Sequence, residues 1–159
     1  MEKIASFQID HLRLLRGVYV SRLDRFGQET ITSFDIRMKE PNREPVMDVP
    51  ALHTLEHLGA TFLRSHPVWA SKTVYFGPMG CRTGLYALFS GELTSREILP
   101  LIKEFYEWVL AFHGEVPGAQ AAECGNWSDH NLPMAQWEAR KFLTEVLENP
   151  TEANLHYPS

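Results

Sequence analysis

Alternating hydrophobic and polar positions in the first part of the chain predict a β-hairpin. Residues 17–23 alternate in character, and residues 30–38 are rich in β-branched and aromatic side chains, with Gly27 as the turn residue between them. Two more strands are predicted over residues 73–76 and 83–90, on either side of a glycine-rich segment. The pattern therefore indicates a sheet of at least four strands.

Three other segments have the periodicity of amphipathic helices. The first covers residues 51–65 and follows Pro50, a residue that is favoured in the first turn of a helix. The second covers residues 94–112 and opens with the capping-box sequence T-S-R-E. The third covers residues 133–147.

The order of these elements predicts an α+β fold with a mainly antiparallel sheet packed against helices. Strands and helices do not alternate strictly, as they would in a parallel α/β protein. A chain of 159 residues is long enough for one substantial core and short for two, so residues 1–159 are predicted to form a single domain. Residues from about 150 to 159 are expected to be a polar, frayed tail.

The charge distribution excludes some classes of partner. The chain has 20 acidic and 15 basic residues, a net charge of -5, and its basic residues are scattered, which argues against nucleic-acid binding. No segment approaches the roughly 20 apolar residues that a membrane span needs, so no membrane association is expected. Because the N-terminal residues lack the apolar core of a secretory signal, we expect a soluble, cytoplasmic protein.

The two cysteines are too few for a disulfide framework and are expected to be thiols. Cys81 lies in the sequence G-P-M-G-C-R-T-G, and Cys124 lies in E-C-G-N, so both are predicted to be in turns. Glycine-rich turns let the backbone approach a ligand closely, which favours reactive or ligating thiols. An inert role for either cysteine remains an open alternative.

The sequence H-T-L-E-H at residues 53–57 predicts a metal site with a base beside it. On a helix, His53 and His57 lie one turn apart on the same face, and Glu56 is adjacent to the second of them. An open catalytic zinc or iron site needs about three protein ligands and one free position, and this pair supplies two ligands. The alternative is an ordinary helix whose histidines only pack or cap.

Five motifs in this order resemble the S-ribosylhomocysteine lyase (LuxS) family over nearly the whole chain. They are SFQIDH at 6–11, FDIRMKEPN at 34–42, HTLEH at 53–57, GPMGCRTG at 77–84 and ECGN at 123–126. The resemblance implies three kinds of site residue: metal ligands His53, His57 and Cys124, proton-transfer residues Glu56 and Cys81, and substrate contacts Ser6, His11 and Arg37. It also implies an α+β fold and a homodimer with active sites at the subunit interface.

The chemistry implied by the resemblance is the cleavage of S-ribosylhomocysteine to homocysteine and 4,5-dihydroxy-2,3-pentanedione, the precursor of autoinducer-2. This would connect the protein to the methionine cycle and to quorum sensing. The carbonyl group migrates by proton shifts and the thioether is expelled by β-elimination, so a Lewis acid and proton carriers are needed. One divalent metal per subunit is expected, Fe2+ in the native enzyme, with Zn2+ or Co2+ able to substitute.

Two residues depart from the pattern of the family that the chain resembles. Tyr75 and Gly77 stand where family members usually carry Asp and Ser. The Asp is thought to contact the amino-acid portion of the substrate, so this departure affects how the homocysteine ammonium would be held. The metal ligands and proton-transfer residues are unaffected.

Two further predictions concern residues around the site. The planar fork of Arg37 suits the carboxylate of the substrate, although an arginine on a strand is often a surface or cross-strand charge. Asp129 and His130 follow Cys124 closely and suggest a fourth ligand. Because a catalytic metal keeps one position open, we expect them to support a ligand or to face solvent.

Two alternative functions are compatible with the metal motif. His-x-x-Glu-His is also the motif of inverzincin peptidases, although those enzymes are much larger and use a carboxylate as third ligand. A structural metal domain would instead gather His53, His57, Cys81 and Cys124 into one closed site. The number of thiols in the cluster separates these cases, because one thiol favours catalysis and two favour structure.

Overall fold

A computed structural model describes all 159 residues and contains one sheet of four strands. The strands are β1 (Gly17–Phe26), β2 (Glu29–Arg37), β3 (Thr73–Pro78) and β4 (Gly84–Ser90). Their spatial order is β1-β2-β4-β3, and every neighbouring pair is antiparallel. The predicted strands and the predicted α+β class are confirmed.

The helices also lie where the sequence predicts them, with one short addition at the N-terminus. They are α1 (Ala5–Gln8), α2 (Val49–Ser65), α3 (Ser95–Ala111) and α4 (Leu132–Phe142), and α4 continues as a π-helical turn over Leu143–Leu147. Short 3-10 turns cover Ala70–Lys72 and Glu152–Asn154. None of these helices combines the length and the apolar character required to cross a membrane.

Local capping explains where the long helices begin. The Asp48 side chain accepts a hydrogen bond from the Ala51 amide at the start of α2, and a proline occupies the first turn. Thr94 and Glu97 form the predicted capping box of α3, in which each side chain bonds the other residue's backbone amide. α2, which carries the predicted metal ligands, is therefore fixed at its first turn.

The hydrophobic core lies between one face of the sheet and helices α2, α3 and α4. Alternate side chains of the strands, such as Phe34 and Ile36 on β2, are completely buried there. Phe76 of β3 packs edge to face against Phe105 of α3, with ring centroids 5.5 Å apart. The intervening strand residues, including Tyr19, point to the opposite, outer face of the sheet.

The C-terminal segment corrects the prediction of a frayed tail over residues 150–159. Leu155 is only 2% exposed, and the ring of Tyr157 stacks on Tyr19 with centroids 4.8 Å apart. The Tyr19 hydroxyl lies 3.0 Å from the Ala153 carbonyl oxygen, within hydrogen-bonding distance, and Arg13 donates a hydrogen bond to the carbonyl of Ser159. These contacts are non-local, so the polar composition of the segment gave no sign of them. The tail covers part of the outer face of the sheet.

A close approach between α2 and β3 gives a stability prediction. A methyl group at Gly59 would overlap the ring of Phe76, which is buried against Phe105 and cannot move aside. Overpacking costs about 1 to 3 kcal/mol, partly offset by a gain of about 1 kcal/mol in helix propensity. We expect Gly59→Ala to lower the free energy of unfolding in urea, by up to about 2 kcal/mol.

Gly80→Ala is the matched control, because nothing lies within 4 Å of a methyl group added at Gly80. Its unfolding midpoint should stay close to that of the unchanged protein. Equal stability of the two variants would contradict the proposed overlap between Gly59 and Phe76.

Candidate active site

Helix α2 places the two predicted histidine ligands side by side. His53 and His57 are one turn apart, and their ring centroids are 4.6 Å apart at nearly perpendicular orientation. Both rings are half-buried and face the segment that connects α3 to α4. That segment supplies the remaining members of the cluster.

Backbone carbonyls of the connecting segment determine the tautomer of both histidines. His53 Nδ1 lies 2.8 Å from the carbonyl oxygen of Asp129, and His57 Nδ1 lies 2.7 Å from that of Pro117. Because a carbonyl oxygen only accepts hydrogen bonds, Nδ1 carries the proton in each ring. Each Nε2 therefore keeps its lone pair for a metal ion. A hydrogen bond from the other ring nitrogen to a carbonyl is the usual support of a metal-binding histidine.

Cys124 completes the predicted ligand set. Its Sγ lies 3.5 Å from His53 Nε2 and also accepts a hydrogen bond from the Asn126 amide. One ligand atom from each of four residues, His53, His57, Cys124 and His130, lies within 4.8 Å of all the others. Two imidazoles and one thiolate form a donor set that suits Zn2+, Fe2+ or Co2+.

His130 lies in this cluster, so of the two roles expected for it, support of a ligand and exposure to solvent, the structure favours the first. Its ring stacks on His53 with centroids 4.2 Å apart. The Thr54 hydroxyl donates its hydrogen to the Pro50 carbonyl, so His130 Nδ1, 3.1 Å away, must donate to the Thr54 oxygen.

The remaining nitrogen of that ring, Nε2, is buried without a hydrogen-bond partner. Burial, together with the neighbouring His53 and His57, lowers the pKa of His130, which favours the neutral imidazole. A buried lone pair without a partner beside two other imidazoles fits the presence of a metal ion in the cluster. The only sequence signal for His130 was its closeness to Cys124.

Glu56 lies beside the cluster, on the side of a cleft of about 290 Å³. The cleft is lined by residues of α2, β3 and the connecting segment, among them His57, Phe76 and Gly118. Glu56 is half-buried and accepts no hydrogen bond from the chain. Its carboxylate is therefore free to exchange protons with a bound molecule.

Cys81 forms a second site at the end of the sheet. It is exposed, its Sγ lies 3.1 Å from Thr83 Oγ1, and Arg37 Nη1 donates to the sulfur over 3.9 Å. The guanidinium of Arg82, the next residue along the chain, donates to the Met47 carbonyl. The cation beside Cys81 is Arg37.

Most of the Arg37 guanidinium is already paired within the chain. Nε and Nη2 donate to the two carboxylate oxygens of Asp35 at 3.0 and 2.6 Å, and Nη1 donates to Thr83 Oγ1 at 2.7 Å. Burial alone would lower the pKa of Arg37, but the Asp35 carboxylate outweighs it and the pKa is raised. The planar fork predicted to bind a substrate carboxylate is thus occupied by Asp35. Sequence reasoning missed Asp35 and Thr83 although both lie within the quoted motifs.

Ser6 lies in a groove of about 390 Å³ on the outer face of the sheet, together with Tyr75 and Tyr86. His11 is half-buried near the same end of the chain, where its Nδ1 lies 2.8 Å from the Ile9 carbonyl oxygen. No hydrogen bond joins this N-terminal segment or the Cys81 site to the His–Cys cluster. The predicted residues therefore form separate groups within one chain.

The two departures Tyr75 and Gly77 are structurally coupled. Residues two apart on a strand share one face, and the Tyr75 hydroxyl lies over Gly77. A methyl group at Gly77 would overlap that hydroxyl. In this conformation Gly77 leaves the space that the Tyr75 hydroxyl occupies, and because Tyr75 is 48% exposed, its ring could move aside for a larger residue.

The fold and the two groups of residues fit an enzyme domain. Only one thiol, that of Cys124, lies in the possible metal cluster, and Cys81 is a separate, exposed thiol beside an arginine. A closed structural site containing both cysteines is therefore excluded. An α+β domain with a His–Cys cluster that contains one thiol, and with a second, exposed thiol apart from it, fits a catalytic domain better than a structural metal domain.

Comparison with known proteins identifies the family. The profile of the family described as S-Ribosylhomocysteinase (LuxS) matches residues 4–153. An S-ribosylhomocysteine lyase of Phocaeicola vulgatus is 59% identical over 159 residues, covering 100% of this chain and 99% of the relative. The enzymes of that name from Porphyromonas gingivalis and Clostridium beijerinckii are 58% and 57% identical, over 99% and 100% of this chain and of their own lengths.

The chain belongs to the S-ribosylhomocysteine lyase (LuxS) family. The resemblance found in its five motifs is therefore confirmed, and the peptidase alternative is not supported. It is an enzyme of the carbon–sulfur lyase type.

The separation of the two thiols gives a prediction about metal content. We expect Cys124→Ala to lose bound metal, because it removes the only sulfur ligand in the cluster. Cys81→Ala should retain metal, since Cys81 lies outside the cluster. Elemental analysis of the two purified variants measures this difference, and an equal loss of metal in both would show that the assignment is wrong.

Proposed function

We propose that this protein cleaves S-ribosylhomocysteine to homocysteine and 4,5-dihydroxy-2,3-pentanedione, using one divalent metal held by His53, His57 and Cys124. The observation that carries the proposal is the orientation of this cluster. Two Nε2 lone pairs are fixed by backbone carbonyls and converge with one sulfur. Three ligands leave a fourth position, and His130, the other member of the cluster, would have to stay out of it for substrate to bind the metal.

Metal at this cluster would supply Lewis-acid stabilisation of the negative charge that develops on substrate oxygens during carbonyl migration. Fe2+ as the native ion, with Zn2+ or Co2+ as substitutes, is part of the proposal and follows from the family resemblance. The donor set supports all three ions, because imidazole and thiolate bind each of them.

Cys81 and Glu56 are the proposed proton carriers. The exposed Cys81 sulfur lies beside Thr83 and the Arg37 guanidinium, both of which stabilise a thiolate by hydrogen bonding. Such a thiolate takes a proton from one carbon of the sugar and returns it to the next. The free carboxylate of Glu56, next to the metal ligand His57, moves protons to and from substrate oxygens.

A homodimer with active sites at the subunit interface completes the proposal. Within one chain the Cys81 site and the His–Cys cluster are separate. If the Cys81 site of one subunit faced the His–Cys cluster of the other across an interface, both would contact the same substrate. Exposed apolar side chains of the N-terminal segment, including Ile4, Phe7 and Leu12, support an interface there. A cytoplasmic enzyme that supplies the autoinducer-2 precursor is the corresponding cellular role.

An activity assay tests the function. We expect protein reconstituted anaerobically with Fe2+ or Co2+ to release homocysteine from S-ribosylhomocysteine, measured with a thiol reagent. Glu56→Gln should retain its metal and lose about two to four orders of magnitude in kcat/KM, the scale expected for removing a general acid–base group. Absence of thiol release with Fe2+, Co2+ and Zn2+ alike would contradict the proposed function.

The position of Tyr75 in the groove beside Ser6 predicts an effect on substrate affinity. Tyr75→Asp should lower KM for S-ribosylhomocysteine and change kcat little, because a contact remote from the reacting carbons stabilises ground and transition states equally. A gained charge-assisted contact contributes about 1.5 to 3 kcal/mol, or one to two decades in KM. Steady-state kinetics measures both constants.

The coupling between Tyr75 and Gly77 provides the control for this variant. Gly77→Ser alone should displace the exposed Tyr75 ring with little loss of stability, because the new side chain would overlap the Tyr75 hydroxyl. In the Tyr75→Asp background the same serine has no ring to displace and should leave KM unchanged. An unchanged or raised KM for Tyr75→Asp would show that another residue already holds the substrate ammonium.

A further inference from the structure

The C-terminal tail makes a specific polar contact with the outer face of the sheet. The Tyr157 hydroxyl donates a hydrogen bond of 2.8 Å to Asp35 Oδ2. Asp35 is completely buried on β2, and Arg37, its bidentate partner, is only 3% exposed. Tyr157 is therefore the tail residue that reaches the buried ion pair.

Asp35 and Arg37 connect this contact to the exposed thiol of Cys81. Asp35 Oδ2 is shared by Tyr157 and by Arg37 Nη2, so both donors fix the position of one oxygen. Arg37 Nη1, on the same planar group, donates to Thr83 and to the Cys81 sulfur. Tyr157, Asp35, Arg37 and Cys81 thus form an unbroken series of hydrogen-bonded contacts.

Tyr157 is suited to be a permanent donor in this series. Its ring is held by stacking on Tyr19, and the adjoining segment is anchored by the buried Leu155. Burial and the neighbouring Asp35 carboxylate raise the pKa of Tyr157 well above its ordinary value, so the hydroxyl keeps its proton.

We propose that Tyr157 is a positioning residue for Cys81, acting through Asp35 and Arg37. Its hydrogen bond takes up part of the negative charge on Asp35 and holds the carboxylate in one orientation. Without it, Asp35 draws the guanidinium more strongly to itself, and Arg37 Nη1 stabilises a Cys81 thiolate less. The role assigned to Cys81 in catalysis rests on the proposed function, but the effect of Tyr157 on the thiol does not.

Alkylation of Cys81 tests this inference without a lyase assay. Tyr157→Phe keeps the aromatic ring on Tyr19 and removes only the hydroxyl. We expect iodoacetamide to modify Cys81 about three- to tenfold more slowly at pH 7 in this variant, since the thiolate is the reactive form and loses part of a charge-assisted hydrogen-bond network. Mass spectrometry of the peptide containing Cys81 separates its modification from that of Cys124.

Tyr19→Phe is the matched control. It removes the Tyr19 hydroxyl, whose single proton is within reach of the carbonyls of Leu15 and Ala153, but it leaves the contact between Tyr157 and Asp35 intact. The rate of Cys81 alkylation should then equal that of the unchanged protein, even if the unfolding temperature falls. An unchanged rate in Tyr157→Phe, or the same decrease in both variants, would overturn the inference.

The alkylation assay and the lyase assay, carried out on the same samples, distinguish failure of this inference from failure of the proposed function. Slower alkylation only in Tyr157→Phe supports the positioning role whether or not the unchanged protein releases homocysteine. Failure of the unchanged protein in the lyase assay would count against the proposed function alone.

Discussion

The buried ion pair between Asp35 and Arg37 is the interaction on which the outer face of the sheet depends. Removing two charges from water costs several kcal/mol for each ion, and only good geometry with additional hydrogen bonds compensates for this cost. The pair is bidentate, and Thr83 and Tyr157 provide the additional bonds. The end of β2, the segment carrying Cys81 and the tail must therefore keep their relative positions.

Much of this protein could be predicted from local patterns. The strands and long helices were predictable because alternation, amphipathic spacing, the first-turn Pro50 and the T-S-R-E capping box are properties of neighbouring residues. His53 and His57 were predictable for the same reason, since one helical turn brings them together. The five motifs then placed Cys124 and Cys81 in their respective sites.

Non-local contacts could not be predicted in this way. The tail is polar in composition, yet Tyr157 stacks on a strand near the other end of the chain. The Asp35–Arg37 pair is the exception, because residues two apart on a strand share one face and their opposite charges were a local signal of pairing that the sequence analysis did not use. His130 joins the cluster only because Thr54 and the segment after Cys124 meet in three dimensions.

The contact between Tyr75 and Gly77 bears on how this edge of the sheet can change. The Tyr75 hydroxyl lies over Gly77, so in this conformation a side chain at position 77 would occupy the same space. Because Tyr75 is 48% exposed, its ring can move aside, and a larger residue at position 77 would shift the tyrosine without being excluded. Sequence change at position 77 would therefore alter the shape of the groove that Tyr75 lines and leave the fold intact.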